Sequence, residues 1–405
     1  MVKQLFLWLH KWLGLTTGLI VVLVSLSGCV YVFVDELKEL CYKDRLFVTA
    51  ETRSVLPLST LKDRAQEALG AHRPITRCEV YPQAGRTWVF RAVKTDPEAI
   101  GHWRYYIYYD RVYINPYNGK IVYIEDSKNE FFQLIVNLHM NLLLGDRIGS
   151  PLVDYGVLVF LLILISGAVL WWPQKWNRKQ VKKHFKIKWG ASFKRLNHDL
   201  HNVLGFYILL PIFVIAVTGL VFSFSWVDQS VQYVFNGGHA AVKRSIPQSA
   251  VAKDGGKHAL DQALLTVLHE HPTAALLSIR FRGGETTPID IQTRLQEGKS
   301  SVFEWYYFDQ KNGDLLMKYG NQTIHGGEQI RAMNYDLHVG SIGGLGTQLL
   351  AFIASLICAS LPITGFFIWY HKNRKKKTPK KQRKERSFVY EPGKSITRSL
   401  DARPR

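Results

Sequence analysis

Four stretches of this chain, Leu13–Val34, Leu152–Trp172, Phe206–Phe224 and Leu345–Tyr370, are almost free of charge. Each is long enough, or nearly so, to cross the hydrocarbon core of a bilayer as a helix. No other feature narrows the possible folds as much. The charge of the chain falls beside these stretches. Segment 173–197 holds nine basic and no acidic residues, and 371–405 holds fourteen basic against three acidic. Together they account for the whole formal excess of +20, and the rest of the 405 residues is neutral. A nucleic-acid-binding body is therefore not expected, and a chain that is 47% hydrophobic is too apolar for a disordered polybasic protein.

Lysine and arginine mark the cytoplasmic loops of membrane proteins. The basic loop 173–197, the basic tail 371–405 and the N-terminus with Lys3 and Lys11 are thus expected in the cytoplasm. Segments 35–130 and 226–330, nearly balanced in charge, are expected outside. The resulting plan has a first transmembrane helix within 1–34 and an external domain at 35–130. A half-helix and the second transmembrane helix follow at 131–172, then the cytoplasmic loop 173–197. The third transmembrane helix at 198–225, a second external domain at 226–330, a half-helix and the fourth transmembrane helix at 331–370, and the tail 371–405 complete it. Leu26-Ser27-Gly28-Cys29 reads like a lipoprotein cleavage site, but the apolar run continues past the cysteine to Val34 and the N-terminal charge is thin. An uncleaved first helix is expected. Cys41 and Cys78 both fall in external segments, where an oxidising compartment permits a disulfide. No CxxC occurs, which removes c-type haem attachment.

The chain repeats itself. His10-Lys-Trp-Leu-Gly14 opens the first span and His201-Asn-Val-Leu-Gly205 the third. Gly28 falls on Gly219 at the same offset, Leu138-His139 matches Leu337-His338, and Ser166-Gly167 matches Thr364-Gly365. The external segments repeat as well. Leu58–His72 and His258–His271 have the apolar spacing of amphipathic helices. The alternating runs Tyr105–Asn115 and Ile121–Glu125, and Val302–Phe308 and Leu315–Tyr319, flank Asn-Gly turns of the hairpin kind. The fold class expected is a membrane protein of four transmembrane helices in two tandem repeats, with two small α+β external domains.

Four of the fourteen histidines recur in the repeat: His10, His139, His201 and His338. Spans one and three run outward, so His10 and His201 lie near the cytoplasmic face. Spans two and four run inward, so His139 and His338 lie near the external face. The eighteen residues from His10 to Gly28 cover about 27 Å of helix. Gly28 and Gly219 therefore reach the depth of the outer histidines, and Gly167 and Gly365 that of the inner ones. Gly14 and Gly205 stand at i+4 from His10 and His201, on the same helix face. Small residues at these depths let helices approach closely or leave room for a flat macrocycle. Two histidines facing across such a gap are the ligand set of a b-type haem, and ionisable groups in spans are functional by default. His198 could ligate in place of His201, which is preferred for its match to His10. His371 reads as interfacial. His239, His258, His269, His271 and His325 read as solvated surface. The turns Gly145–Pro151 and Gly340–Gly346 suggest that the outer histidines sit on half-helices, with Arg147 placed to meet a propionate or an anionic chelate.

At this point Leu9-His10-Lys-Trp-Leu-Gly14, Asn197-His-Asp-Leu-His201-Asn-Val-Leu-Gly205, Thr218-Gly219, Asn115-Pro-Tyr-Asn-Gly119 and Asp336-Leu-His338 together make the chain resemble the PepSY-associated transmembrane family, over about residues 1–372. The resemblance implies PepSY-like periplasmic domains, a bacterial inner membrane and, from some members, di-haem reduction of ferric siderophores. An aromatic residue is more usual in the family where His198 stands. The reading is an electron carrier with two bis-histidine haem b groups, one on His10 and His201 and one on His139 and His338. A cytoplasmic reductase or a membrane quinol would be the donor and a ferric siderophore the acceptor, with Tyr105, Tyr106, Tyr108 and Tyr109 as candidate lining. No strand–loop–helix GxGxxG occurs, and the cytoplasmic segments are too short for a flavin or nicotinamide domain, so electrons must come from a partner. The basic segments suit anionic lipid or an acidic partner. The rival readings are a non-redox protein that binds peptides or regulates a periplasmic protease, and a chelate transporter.

Overall fold

The computed structural model describes residues 2–173, 177, 184–241, 244–250 and 257–374. Part of the basic loop (174–176 and 178–183) and the basic tail from 375 lie outside the described residues. Three helices are long and apolar enough to cross a membrane: α1 (Val2–Tyr31), α5 (Gly149–Trp171) and α11 (Leu345–Arg374). A fourth candidate span is broken. Phe193–Tyr207 (α6) and Leu209–Ser223 (α7) meet at a 63° bend. Pro211 accounts for it, because its ring has no N–H to donate and crowds the carbonyl of Tyr207 four residues back. Just before the bend, Leu200–Leu204 forms one π-helical turn, a local widening of a kind common at functional sites.

Small residues hold the spans together. Ala351, Ala354, Ser355, Cys358 and Ala359 are buried along α11. A Cβ at Gly18 of α1 would stand 3.2 Å from Pro362 Cβ of α11, so the two helices approach at side-chain-free distance. Between them and the other spans lies a wholly apolar centre, built from Val21, Leu164, Ile208, Ile212, Ala216, Ala354 and Cys358. Cys29 is buried in the same seam, its thiol against the Phe352 carbonyl at 3.6 Å.

On one side of the spans stands a single antiparallel sheet. Its strands are β1 (Arg77–Val80), β2 (Trp88–Thr95), β3 (Tyr106–Ile114), β4 (Ile121–Asp126), β5 (Leu276–Arg280), β6 (Ile289–Arg294), β7 (Phe303–Phe308) and β8 (Leu315–Gly320), in the order β4-β3-β2-β1-β5-β6-β7-β8. Each half of the chain supplies a four-strand meander, and the halves join where Arg77 pairs with Arg280 and Val80 with Leu277. The sequence suggested two separate external units; the edges of the two meanders instead pair into one sheet, which among the described residues leaves open only the outer edges of β4 and β8. Helices α3 (Leu58–Leu69) and α9 (Lys257–Glu270) cover one face. Leu58, Leu61, Phe90, Val112, Leu264, Ile279, Ile291 and Tyr306 form one continuous core there. Residues of the other parity face away from this core, where Arg111 of β3 reaches Gln133 of α4 (Phe131–Asn141); the remaining short helices are α2 (Val34–Cys41), α8 (Ser225–Phe235) and α10 (Gly327–Val339).

Strand parity also decides the cysteines. Cys78 points into the helix-covered core with no exposed surface, while Cys41 ends α2 in solvent. Both thiols are free, and the disulfide that their compartment permitted is not formed.

Candidate functional site

The two outer histidines are carried by short helices that stop before the spans begin. Helix α4 ends after Asn141, where Leu142 and Leu143 turn into the left-handed region at φ 53° and 59°. These are costly conformations for residues with a branched side chain, and they reverse the chain so that α5 can start at Gly149. Gly145, at φ 78°, completes the corner. Helix α10 ends at Gly340, φ 81°, before a short 3-10 turn leads into α11. A Glu130 carboxylate caps α4 by accepting from the backbone N–H groups of Phe132 and Gln133. Asp336, fully buried on α10, accepts from the N–H and hydroxyl groups of Ser300 and Ser301 and pins the β6–β7 loop to the helix that carries His338.

His10 of α1 faces His201 of α6 with ring centroids 6.1 Å apart. His139 of α4 faces His338 of α10 at 6.0 Å. All four rings are held in one way. His10 Nδ1 lies 3.1 Å from the Ile163 carbonyl and 3.0 Å from Ser166 Oγ. His139 Nδ1 lies 2.9 Å from the Val24 carbonyl and 3.3 Å from Ser27 Oγ. His338 Nδ1 lies 3.1 Å from the Ile215 carbonyl and 3.0 Å from Thr218 Oγ. His201 Nδ1 lies 2.9 Å from Thr364 Oγ1, with the Leu361 carbonyl close by. In each case the carbonyl belongs to the residue three before the hydroxyl. Each hydroxyl donates its own proton back to that carbonyl's turn of helix. Both atoms facing Nδ1 are therefore acceptors, so the proton sits on Nδ1 and Nε2 keeps its lone pair. Among the described residues no hydrogen bond engages any of the four Nε2 atoms.

The glycine after each hydroxyl lets the ring in. A Cβ would meet the Cε1 atom of His139 at 3.1 Å from Gly28, of His10 at 3.2 Å from Gly167, of His201 at 3.3 Å from Gly365 and of His338 at 3.4 Å from Gly219. The sequence suggested room for a macrocycle; these four glycines instead make room for the imidazoles. Gly14 and Gly205 play a different part. A Cβ at Gly14 would meet nothing within 4 Å, and one at Gly205 would make only ordinary contact with Leu361. The functional residues that sequence reasoning passed over are the hydroxyls Ser27, Ser166, Thr218 and Thr364, visible only as members of small pairs.

Of the other candidates, His198 sits half-exposed on α6, beside Asn202 and 3.8 Å from the Asp199 carboxylate, and does not join the inner pair. His371 bonds the Phe367 carbonyl on its own helix. Arg147 turns to Glu98 on the surface and contacts neither outer histidine. Tyr105 donates to Asp146, Tyr106 to Asn137, and Tyr109 accepts from Arg111. Tyr108 lies under Arg73, so the four tyrosines line no common pocket. His239, His258, His269 and His325 are exposed. His271 is half-buried and comes together with Glu270 and Glu304, but the Lys318 ammonium already bonds both carboxylates.

The donor geometry of the two pairs fits a metal. Each pair offers two Nε2 lone pairs on rings whose centroids are 6.1 and 6.0 Å apart, a donor set that would hold a metal ion. A ring fixed at Nδ1 by a carbonyl is also the usual second-shell arrangement of a ligating histidine. The pairs are joined by α1, on which His10 and Gly28 are about 27 Å apart, close to the thickness of a bilayer core. Every pair takes one histidine from each half of the chain. Comparison with protein families matches residues 7–372 to the family described as PepSY-associated TM region. No curated protein matches the chain.

Proposed function

This chain belongs to the family of PepSY-associated transmembrane regions, and from that premise we propose that it is a b-type di-haem electron-transfer protein. It resides in a bacterial inner membrane and reduces a ferric siderophore outside to release Fe(II). The observation that carries the reading is the double pair of facing imidazoles with unengaged Nε2 atoms at 6.1 and 6.0 Å. Haem held by His10 with His201, and by His139 with His338, would supply one-electron chemistry at two depths. The chain's own residues do the rest. The carbonyl–hydroxyl pairs orient each ring and keep its proton on Nδ1. The apolar centre formed by Val21, Leu164, Ile212 and Ala354 excludes water between the sites, a medium suited to electrons and closed to hydrated ions. This packing favours the electron carrier over the chelate transporter.

The two halves of the chain share an element order and each contributes a four-strand meander, which supports the reading of two tandem repeats with PepSY-like external parts. Positive charge in 173–197 and 371–405 supports a cytoplasmic location for those segments and for both termini, with the sheet in the periplasm. A cytoplasmic reductase or a membrane quinol is then the donor at the inner pair. The test uses proteoliposomes holding a trapped reductant and an impermeant ferric chelate outside. Fe(II) should appear outside with the wild type and not with His10→Ala or His338→Ala, while haem-free protein should be inactive. Equal Fe(II) release by the variants would remove the proposal.

A further inference from the structure

The face of the sheet turned away from α3 and α9 carries one straight row of charge. Across six strands, directly paired residues read Glu125, Arg111, Arg91, Arg77, Arg280 and Asp290. The carboxylates at the ends neutralise the outer arginines: Arg111 lies 3.0 Å from Glu125 and Arg280 3.4 Å from Asp290. The two in the middle have no such partner. Arg91 and Arg77 sit opposite each other on β2 and β1, beside the seam where Arg77 meets Arg280 of the second half; both are half-buried, and neither forms an ion pair among the described residues. Arg91 Nε is buried without a hydrogen-bond acceptor, as is the Ser278 hydroxyl on the same face. Glu79, two residues along β1, is within electrostatic reach of Arg77 but bonds neither guanidinium. Burial and the like charges of Arg91 and Arg280 push Arg77 down to about 10.

Like charges directly opposite on neighbouring strands destabilise a sheet, and a half-buried guanidinium needs a counter-ion. The fold supplies counter-ions at both ends of the row and omits them at its centre. Tyr31, at the end of α1, lies three residues beyond Gly28, and Tyr335 of α10 lies three residues before His338, about 4.5 Å along each helix. Tyr31 lies near Tyr335 and is within electrostatic reach of Arg111 and Arg294.

We propose that Arg77 and Arg91 form an oxyanion-binding subsite at the seam of the sheet, which takes the carboxylate or catecholate oxygens of an anionic ferric chelate. The identity of the ligand as an electron acceptor rests on the function proposed above; the anion site itself does not. Guanidinium forks match such oxygens in paired, charge-assisted contacts, so the site selects anionic chelates over neutral or cationic ones.

The test uses the full chain in detergent, with haem content measured on every sample. Binding of ferric citrate is compared with that of neutral ferric tris(acetohydroxamate), for the wild type, R77Q, R91Q and the double variant, together with the melting temperature of each. Ferric citrate should bind at least tenfold tighter than the hydroxamate complex, and the double variant should lose that preference. Its melting temperature should hold or rise, because a like-charge contact has been removed. Equal binding of the two complexes, citrate binding untouched by the double variant, or a fall in melting temperature with binding unchanged would each overturn the proposal. So would loss or altered potential of the outer haem in the variants without an effect on citrate, since the arginines would then serve haem propionates. Citrate selectivity in a protein that takes up no haem would sustain the anion site and remove the electron-transfer reading alone.

Discussion

A hydroxyl and a glycine side by side do two different things for one imidazole. In Thr218-Gly219 the hydroxyl and the Ile215 carbonyl accept from His338 Nδ1, while the bare Cα of Gly219 lets Cε1 approach. Thr218→Val keeps the shape and the carbonyl but removes one acceptor. Loss of an outer-shell partner typically costs 10–100-fold in ligand-site affinity, so haem titration into the apo protein should show about a tenfold weaker outer site and an unchanged inner one. Gly28→Val places a branched side chain where even a Cβ stands 3.1 Å from His139 Cε1. That ring must leave its position, and the outer site alone should be lost; spectra that retain both sites would contradict this role for Gly28. The sequence makes the recurrence of these pairs legible. It does not reveal that the hydroxyls face the rings, because that depends on how neighbouring helices are rotated.

The strands carry the acid sensitivity of the sheet. Glu125 of β4 is almost fully buried between Arg111 and Arg45. Burial alone would raise its carboxyl, but Arg111, the Ser127 hydroxyl and Arg45 outweigh this and hold it below its ordinary value. A carboxyl held low stabilises the fold above its unfolded value of about 4.3 and loses that stabilisation as pH falls through the folded value. Glu125→Gln should therefore lower stability by about 3–5 kcal/mol at neutral pH, since two buried guanidinium groups lose their partner. It should also flatten the acid side of the pH–stability curve below pH ~4.3. Thermal melts across pH check both; an unchanged acid limb would contradict the assignment. Strand positions around Asn118-Gly119 and Asn312-Gly313 are readable from their turns. The register that lines up Arg91 with Arg77, and the pairing of β1 with β5, are not, because alternation shows which face a residue takes and not which strand it meets.

At the scale of the molecule, the two halves cannot work apart. Helix α1 brings His10 to His201 of the second half, and His139 reaches His338 in the same manner. The sheet is likewise closed by β1 of one half and β5 of the other. Chains 1–177 and 184–405 expressed separately should each hold no haem, and co-expressed they should co-purify with both sites restored. Haem bound by either half alone would contradict sites shared between halves. The recurrence of the histidine motifs and the four apolar stretches are legible in hydropathy and spacing. The 63° break at Pro211 and the single sheet arise from contacts far apart in the chain, which local patterns do not carry.

The central claim is that this chain holds two haems, each between a histidine of the first half and one of the second. The most direct measurement is haem per chain, with oxidised-minus-reduced visible spectra, on protein purified in mild detergent after expression with haem supplied. Two low-spin b-type haems per chain are predicted, falling to one in His10→Ala, His201→Ala, His139→Ala and His338→Ala and remaining at two in His198→Ala. No haem in the wild type, or a loss in His198→Ala with His201→Ala unaffected, would contradict the account.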